Sequence, residues 1–214
     1  LKNNFSLSLK NLNSIGKKTS QYKSNPQMEI AGLFNVDFSI PLEKKSNNSN
    51  NILIPKISFR FNPSDMKNYS SSANKIDAGN VFALNRLGLS DTLEAGKSIT
   101  LGLDYNNEKK NNLDQINNYF ELKLATVLRD KEEKFIPSKS TIHKKNSNLF
   151  GSITNKFSDN LDLGYNFSLN NDYNTFEYND LNATISINNF ITKFNFIEEH
   201  GEAGDANILA SSFE

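Results

Sequence analysis

Apolar and polar side chains alternate one by one along much of this chain. The alternation is clearest in residues 161–169, and it recurs at 5–10, 34–40, 57–61, 99–105 and 181–187. Successive side chains of a β-strand point to opposite faces of a sheet. The pattern therefore predicts strands that have one apolar and one polar face. In the clearest segment the apolar positions are Leu161, Leu163, Tyr165, Phe167 and Leu169.

Ten strands are predicted in this way, and no stretch has the 3.6-residue apolar period of a helix. Several of them exceed the roughly five or six residues of soluble strands, and they suit the roughly 9–11 residues that cross a bilayer at a tilt. The predicted strands cover about residues 2–10, 28–41, 52–62, 93–105, 116–129, 147–157, 160–171, 175–188, 189–199 and 206–214.

The predicted connections alternate in length. Long polar connections lie at 11–27, 63–92 and 130–146, whereas those near 158–159 and 188–189 are tight. Outer-membrane barrels have short periplasmic turns and long outer loops, so this alternation predicts a barrel with an inner and an outer end. The sequence thus indicates an all-β, antiparallel, up-and-down transmembrane β-barrel fragment that does not close on its own.

Composition changes this picture only at the margins. The 24 basic and 24 acidic residues cancel, so no basic surface for nucleic acid is expected. Hydrophobic residues make up 36%, which is low for a soluble domain and raises disorder as an alternative. The 16 Phe and 7 Tyr argue against disorder, because a chain that buries nothing has little use for them. A barrel with a wet lumen accommodates both observations.

Aromatic residues near the ends of predicted strands are candidates for the interfacial girdles of a membrane barrel, with ordinary packing as the alternative. These candidates are Phe150, Phe157, Tyr173, Phe176 and Tyr178.

Residues that would support catalysis are sparse. The two histidines, His143 and His200, lie in predicted loops, and His200 stands among acidic residues without the spacing of a calcium loop. The sequence has no nucleophile elbow, zinc-protease motif or phosphate-binding glycine loop. We therefore expect no enzyme activity, no catalytic residues, no metal and no cofactor.

One segment, residues 81–96, ends a long connection and runs into the predicted strand that contains residues 99–105. Arg86 paired with Asp91 or Glu94 would tie this loop across the mouth of the barrel by charge-assisted hydrogen bonds. A turn held by local polar contacts, with no role in transport, is the alternative.

The same segment resembles the LPS-assembly protein family LptD, also called organic solvent tolerance proteins. Leu89 and Thr92 depart from that family's pattern. The preceding strand around Pro55 and the step at 196–202 are also similar to the family. The positions that carry the resemblance, and that form the candidate site, are Phe82, Asn85, Arg86, Gly88, Asp91, Glu94 and Gly96.

This resemblance implies that residues 1–214 are part of the barrel domain, without the family's N-terminal periplasmic domain. It implies a protein of the cell outer membrane that delivers lipopolysaccharide to the outer leaflet with lateral release. The implied partners are lipopolysaccharide, an LptE-like lipoprotein plug, the proteins of a periplasmic lipopolysaccharide bridge and outer-membrane lipids. A general porin or a receptor-type channel is the alternative function.

Overall fold

The computed structural model describes residues 1–17, 26–110, 116–158 and 160–213, which form one antiparallel sheet of eleven strands. All ten predicted strands are present, together with one short strand that was not predicted. The strands are β1 (Lys2–Ser14), β2 (Gln27–Ser39), β3 (Leu42–Lys45), β4 (Ser49–Asn62), β5 (Gly96–Lys110), β6 (Ile116–Arg129), β7 (Leu149–Ser158), β8 (Leu161–Leu169), β9 (Phe176–Ile187), β10 (Phe190–Glu199) and β11 (Ala206–Phe213).

Each long strand pairs with the next long strand along the chain, and β3 pairs only with β4. Strands β1 and β11 form the two edges of the sheet, which is not closed. The described residues contain only one short helix, a 3₁₀ turn at Ser138–Ser140. No described helix has the length and apolar character needed to cross a membrane. The predicted fold, an open up-and-down barrel fragment, is confirmed.

Two strands run further than the alternation predicted. Strand β1 ends at Ser14 instead of near residue 10, and β5 continues to Lys110 instead of ending near residue 105. Apart from Leu12, their additional residues are polar, but each lies opposite a residue of a neighbouring strand. The backbone hydrogen bonds of a sheet require a partner strand but no apolar side chain. Strand pairing therefore continues beyond the residues that alternate between apolar and polar. Predicted segments that contain residues 18–25, 111–115, 159 or 214 lie partly outside the described residues.

Two prolines explain the unpredicted strand. Pro41 separates β2 from β3, and both strands pair with the same strand, β4. Pro55 of β4 lies at this break, where its carbonyl accepts a hydrogen bond from the Ile40 N–H at 3.1 Å. A proline has no N–H to offer a neighbouring strand. The interruption between β2 and β3 therefore falls where β4 has no donor.

The connections confirm the predicted difference between the two ends of the sheet. Residues 63–95 and 130–148 join strands at one end, which we call the long-loop end. At the other end, only two residues separate β7 from β8 and β9 from β10.

The outward face of the sheet is an exposed apolar band, as expected for a surface that lies against lipid. It includes Phe5, Leu7, Leu9, Phe34, Phe59, Phe61, Leu101, Leu128, Leu181, Phe194 and Phe196. Of the girdle candidates, Phe157, Tyr173 and Phe176 are exposed. Phe150 is only 2% exposed and belongs to an internal core, so the alternative, ordinary packing, holds for this residue.

The inward face is mainly polar along the strands, but it carries an apolar core at the long-loop end. This core joins residues of the two long connections to a few inward residues of β6 and β7. Its members include Met66, Ile76, Val81, Leu87, Leu89, Val127, Ile136, Ile142 and Phe150. The long connections therefore fold back into the lumen and fill it at that end.

Candidate functional site

The connection between β4 and β5, residues 63–95, lies inside the lumen, and we call it the inward loop. Val81 of this loop and Val127 of β6 are both fully buried, and both belong to the same core. Burying these apolar side chains against the wall gives the loop a defined position. All the site residues predicted from the sequence lie in this loop or at the first residue of β5.

All three side-chain nitrogens of Arg86 donate hydrogen bonds. Its Nε and Nη2 donate to the two carboxylate oxygens of Glu94, with the Nε–Oε2 distance at 2.7 Å. Its Nη1 donates to Thr100 Oγ1 at 2.9 Å and to the Val81 carbonyl at 3.3 Å. Nη2 also donates to Ser98 Oγ at 3.0 Å. The planar guanidinium suits a bidentate pairing of this kind, which fixes orientation as well as charge.

Glu94 also contacts arginines from the two flanking strands. Arg129 of β6 donates from Nη1 to Glu94 Oε1 at 2.6 Å, and its Nη2 donates to the Ala95 carbonyl. Arg60 of β4 has its Nε 3.8 Å from Glu94 Oε2. We call Glu94 with Arg60, Arg86 and Arg129 the arginine–glutamate cluster. It links β4, the inward loop and β6 through one carboxylate.

The cluster is buried and carries more positive than negative charge. Its four members are between 3% and 7% exposed. Burial alone would raise the pKa of Glu94, but the positive charges of Arg86 and Arg60, the hydrogen bond from Arg86 and the charge of Arg129 outweigh it. The pKa of Glu94 therefore lies well below its ordinary range, and the carboxylate stays ionised.

Strand β4 also holds the backbone of the inward loop. Arg60 donates from Nη1 to the Ala83 carbonyl at 3.1 Å and from Nη2 to the Leu84 carbonyl at 2.6 Å. Asn62 donates to the Glu94 carbonyl at 3.0 Å. These contacts satisfy loop carbonyls that lie away from any strand partner.

Phe82 lies at the tip of the loop, against the wall of the lumen. A Cβ added to Gly102 of β5 would lie 2.6 Å from two carbons of the Phe82 ring, so only glycine leaves room for this ring. Lys56 Nζ lies 4.6 Å from the centre of the ring and pairs with Asp104 at 2.7 Å. The Phe82 ring thus fills the space that Gly102 leaves in the wall of the lumen.

Asn85 and Gly88 form the turn that aims Arg86. The Asn85 side chain donates to the Leu89 carbonyl at 3.0 Å and accepts from the Leu89 N–H at 3.1 Å. Gly88 has a φ of 64°, in the left-handed region that glycine adopts without strain. Gly96 has a φ of 83° where the loop enters β5. These residues shape the loop backbone.

Asp91 has a different partner from the one considered in the sequence. It pairs with Lys67 at 3.1 Å and accepts a hydrogen bond from the Tyr69 hydroxyl. Of the two acidic candidates, Glu94 is thus the partner of Arg86. Asp91 links two parts of the inward loop instead.

Three cationic residues of the site were not assigned to it from the sequence. The alternation placed Arg60 and Lys10 on polar faces, and the structure shows Lys10 donating to the carbonyls of Leu89 and Thr92 at 3.1 and 3.0 Å. Arg129 ends β6, directly before a long connection. These three residues share one feature that sequence reasoning could have used. Each has a long basic side chain on the polar side of a strand, near the long-loop end.

The fold and the site define a class: a barrel wall of the outer-membrane type whose lumen holds its own inward loop. The profile of the family described as "LptD: LPS transport system D" matches residues 4–204. The chain therefore belongs to the LptD family, which supports a role in lipopolysaccharide transport and assembly at the outer membrane. No curated protein matches the sequence.

Removing the charge of Glu94 should destabilise the barrel wall strongly. In Glu94→Gln, three buried guanidinium groups lose the carboxylate that they share. Breaking a buried pair in this way costs about 3–5 kcal/mol. The matched control is Asp91→Asn in the same loop. Its partly exposed ion pair is worth at most about 1 kcal/mol. Urea unfolding of the bilayer-inserted protein measures both, and equal losses for the two variants would contradict a central role for the cluster.

The contribution of Glu94 should also depend on pH. Its pKa is lower in the folded than in the unfolded chain, so its stabilising effect is complete above the ordinary value of 4.5. It is lost as pH falls below that value toward the folded pKa, because the unfolded state then binds the proton first. The difference in unfolding free energy between the wild type and Glu94→Gln should therefore narrow below pH 4.5. A difference that stays constant from about pH 6 to pH 3 would contradict this.

Proposed function

We propose that this chain forms part of the wall and the internal gate of a barrel that delivers lipopolysaccharide to the outer leaflet of the outer membrane. The observation that carries the proposal is the match to the LptD family over residues 4–204. The acyl chains leave sideways into the membrane between strands, while the sugar portion uses the polar lumen. The candidate site residues act in this scheme by holding the inward loop, and they have no catalytic role.

The two faces of the sheet suit an amphipathic cargo. The outward face presents Phe, Leu and Ile side chains that favour lipid, and the inward face presents Ser, Asn, Asp and Lys side chains that favour water. A molecule with sugars at one end and acyl chains at the other is stabilised by both surfaces only if it passes from lumen to lipid.

The proposal includes the partners that such a pathway needs. Lipopolysaccharide arrives from periplasmic bridge proteins, and an LptE-like lipoprotein plug occupies the remaining lumen of the barrel. Outer-membrane lipids contact the apolar band.

The inward loop favours delivery of a specific cargo over general diffusion. Its core packing and the arginine–glutamate cluster hold it in the lumen, with Phe82 pressed onto the wall at Gly102. A general porin needs a steadily open aqueous passage. In this barrel, cargo has to displace the tip of the loop.

Lipopolysaccharide delivery is tested in cells that depend on this protein. When its gene is repressed, newly made lipopolysaccharide should stop appearing at the cell surface, as measured by its accessibility to an antibody added outside. The full-length protein isolated in detergent should retain lipopolysaccharide and a small lipoprotein. Normal surface delivery in the repressed cells would overturn the proposed function.

The gating role of the loop is tested by the conductance of the protein in planar bilayers. In Gly102→Val the new side chain takes the place of the Phe82 ring, so the tip should leave the wall and conductance should rise. Gly151→Val is the matched control, because its Cβ would meet the Phe167 ring on the outward face of the sheet. It should conduct no more than the wild type. Steady high conductance of the wild type would favour a porin instead.

A further inference from the structure

The inward loop also contacts a second part of the wall, away from the arginine–glutamate cluster. Lys75 of the loop forms an ion pair with Glu199 of β10, 124 residues further along the chain. Its ammonium nitrogen also lies 5.6 Å from the centre of the Tyr178 ring of β9. A lysine at this distance from an aromatic ring gains a cation–π attraction. The loop is therefore attached both to β4 and β6 and to β9 and β10.

The two wall residues are placed to receive this one lysine. Tyr178 and Glu199 lie directly opposite each other in the β9–β10 pairing, so their side chains project from the same face of the sheet. Gly204 in the next connection leaves room for the Glu199 carboxylate, because a Cβ at this glycine would clash with Glu199 Oε2. The wall thus presents a positioned carboxylate beside an aromatic ring.

A hydrogen-bonded turn joins Lys75 to the tip of the loop. The Asp77 carboxylate accepts from the backbone N–H groups two and three residues later, at 2.7 and 2.8 Å. The Asn80 side chain accepts from the Asp77 N–H at 3.0 Å and donates to the Lys75 carbonyl at 3.4 Å. The Val81 N–H donates to the Asp77 carbonyl at 3.1 Å. Such side-chain contacts fix the backbone of a turn. Because Phe82 follows directly, the position of Lys75 constrains the position of Phe82.

The contact at Lys75 is much easier to break than the contacts of the cluster. The Lys75 side chain is 34% exposed and that of Glu199 is 16% exposed, whereas the Arg86 side chain is fully buried. Water competes for both charges of a part-exposed ion pair, so the pair contributes little to stability. A cavity of about 240 Å³ also separates the inward loop from β7 to β9. The loop is therefore held firmly at the cluster and loosely on this side.

We propose that the Lys75–Glu199 pair is a latch, which holds the inward loop in its closed position and has to open when Phe82 leaves the wall. The inference rests on the proposed function, because it concerns the same internal gate. The turn between Asp77 and Val81 couples the latch to the tip, and the arginine–glutamate cluster remains in place as the fixed support. Without the latch, the closed state loses one contact and the loop opens more often.

The latch is tested by the fraction of time for which the full-length protein conducts in planar bilayers. Glu199→Gln keeps the shape of the side chain but removes its charge. The conducting fraction should rise about twofold to fivefold, the effect of losing one part-exposed ion pair. Lys75→Gln should give a similar rise. Because both variants break the same contact, the double variant should conduct no more than the more open of the two single variants.

Glu202→Gln is the matched control. Glu202 pairs with Lys144 at 2.9 Å at the same end of the sheet, and both side chains are part-exposed, but this pair joins two other connections. The control should conduct like the wild type, and an equal rise would overturn the latch by showing a general loosening of the long-loop end. An unchanged conducting fraction in folded Glu199→Gln would also overturn it. So would effects of the two single variants that multiply in the double variant, because the two residues would then act independently.

These results can be told apart from those that test the proposed function. If Gly102→Val raises conductance and Glu199→Gln does not, the latch is overturned and the gate at Phe82 stands. If the latch variants behave as expected but cells depleted of the protein still deliver lipopolysaccharide to their surface, the proposed function is overturned and the latch stands.

Discussion

The carboxylate of Glu94 lies among three guanidinium groups that come from β4, from the inward loop and from β6. Without it, three buried cations would face one another in a water-poor part of the lumen, where like charges repel strongly. With it, β4, β6 and the inward loop are held in one arrangement. The apolar core beside the cluster, the turn at Asn85 and the contact at Phe82 all depend on the loop staying in this place.

The apolar residues of the barrel form two separate surfaces, one that faces lipid and one inside the lumen. Outward residues such as Leu101 face lipid and are exposed on the isolated chain, whereas Val81 and Phe150 form a compact core inside the lumen. A soluble sheet packs one whole face against a second layer. Here only the long-loop end of the inner face is covered, and the rest stays polar. This explains how a chain with 36% hydrophobic residues forms an ordered structure.

The strands were predictable because their information is local: a period of two is visible within nine residues, as in 161–169. The sequence left two candidate partners for Arg86, Asp91 and Glu94, because all three residues lie close together along the chain. The remaining contacts join distant positions. Arg129 is 35 residues from Glu94, and Phe82 meets Gly102 only because the loop turns back into the lumen. The place of Phe150, in a girdle or in a packed core, stayed open for the same reason, since alternation cannot show that a loop covers the inner face.

The contact between Phe82 and Gly102 differs in kind from the contacts four residues further along the chain. The Phe82 ring is placed by the space that Gly102 leaves in the wall, whereas the Arg86 guanidinium is placed by the charge of Glu94. Between them, Arg60 holds the carbonyls of Ala83 and Leu84. A change in the shape of the wall therefore acts first on one end of this segment, and a change in charge acts first on the other.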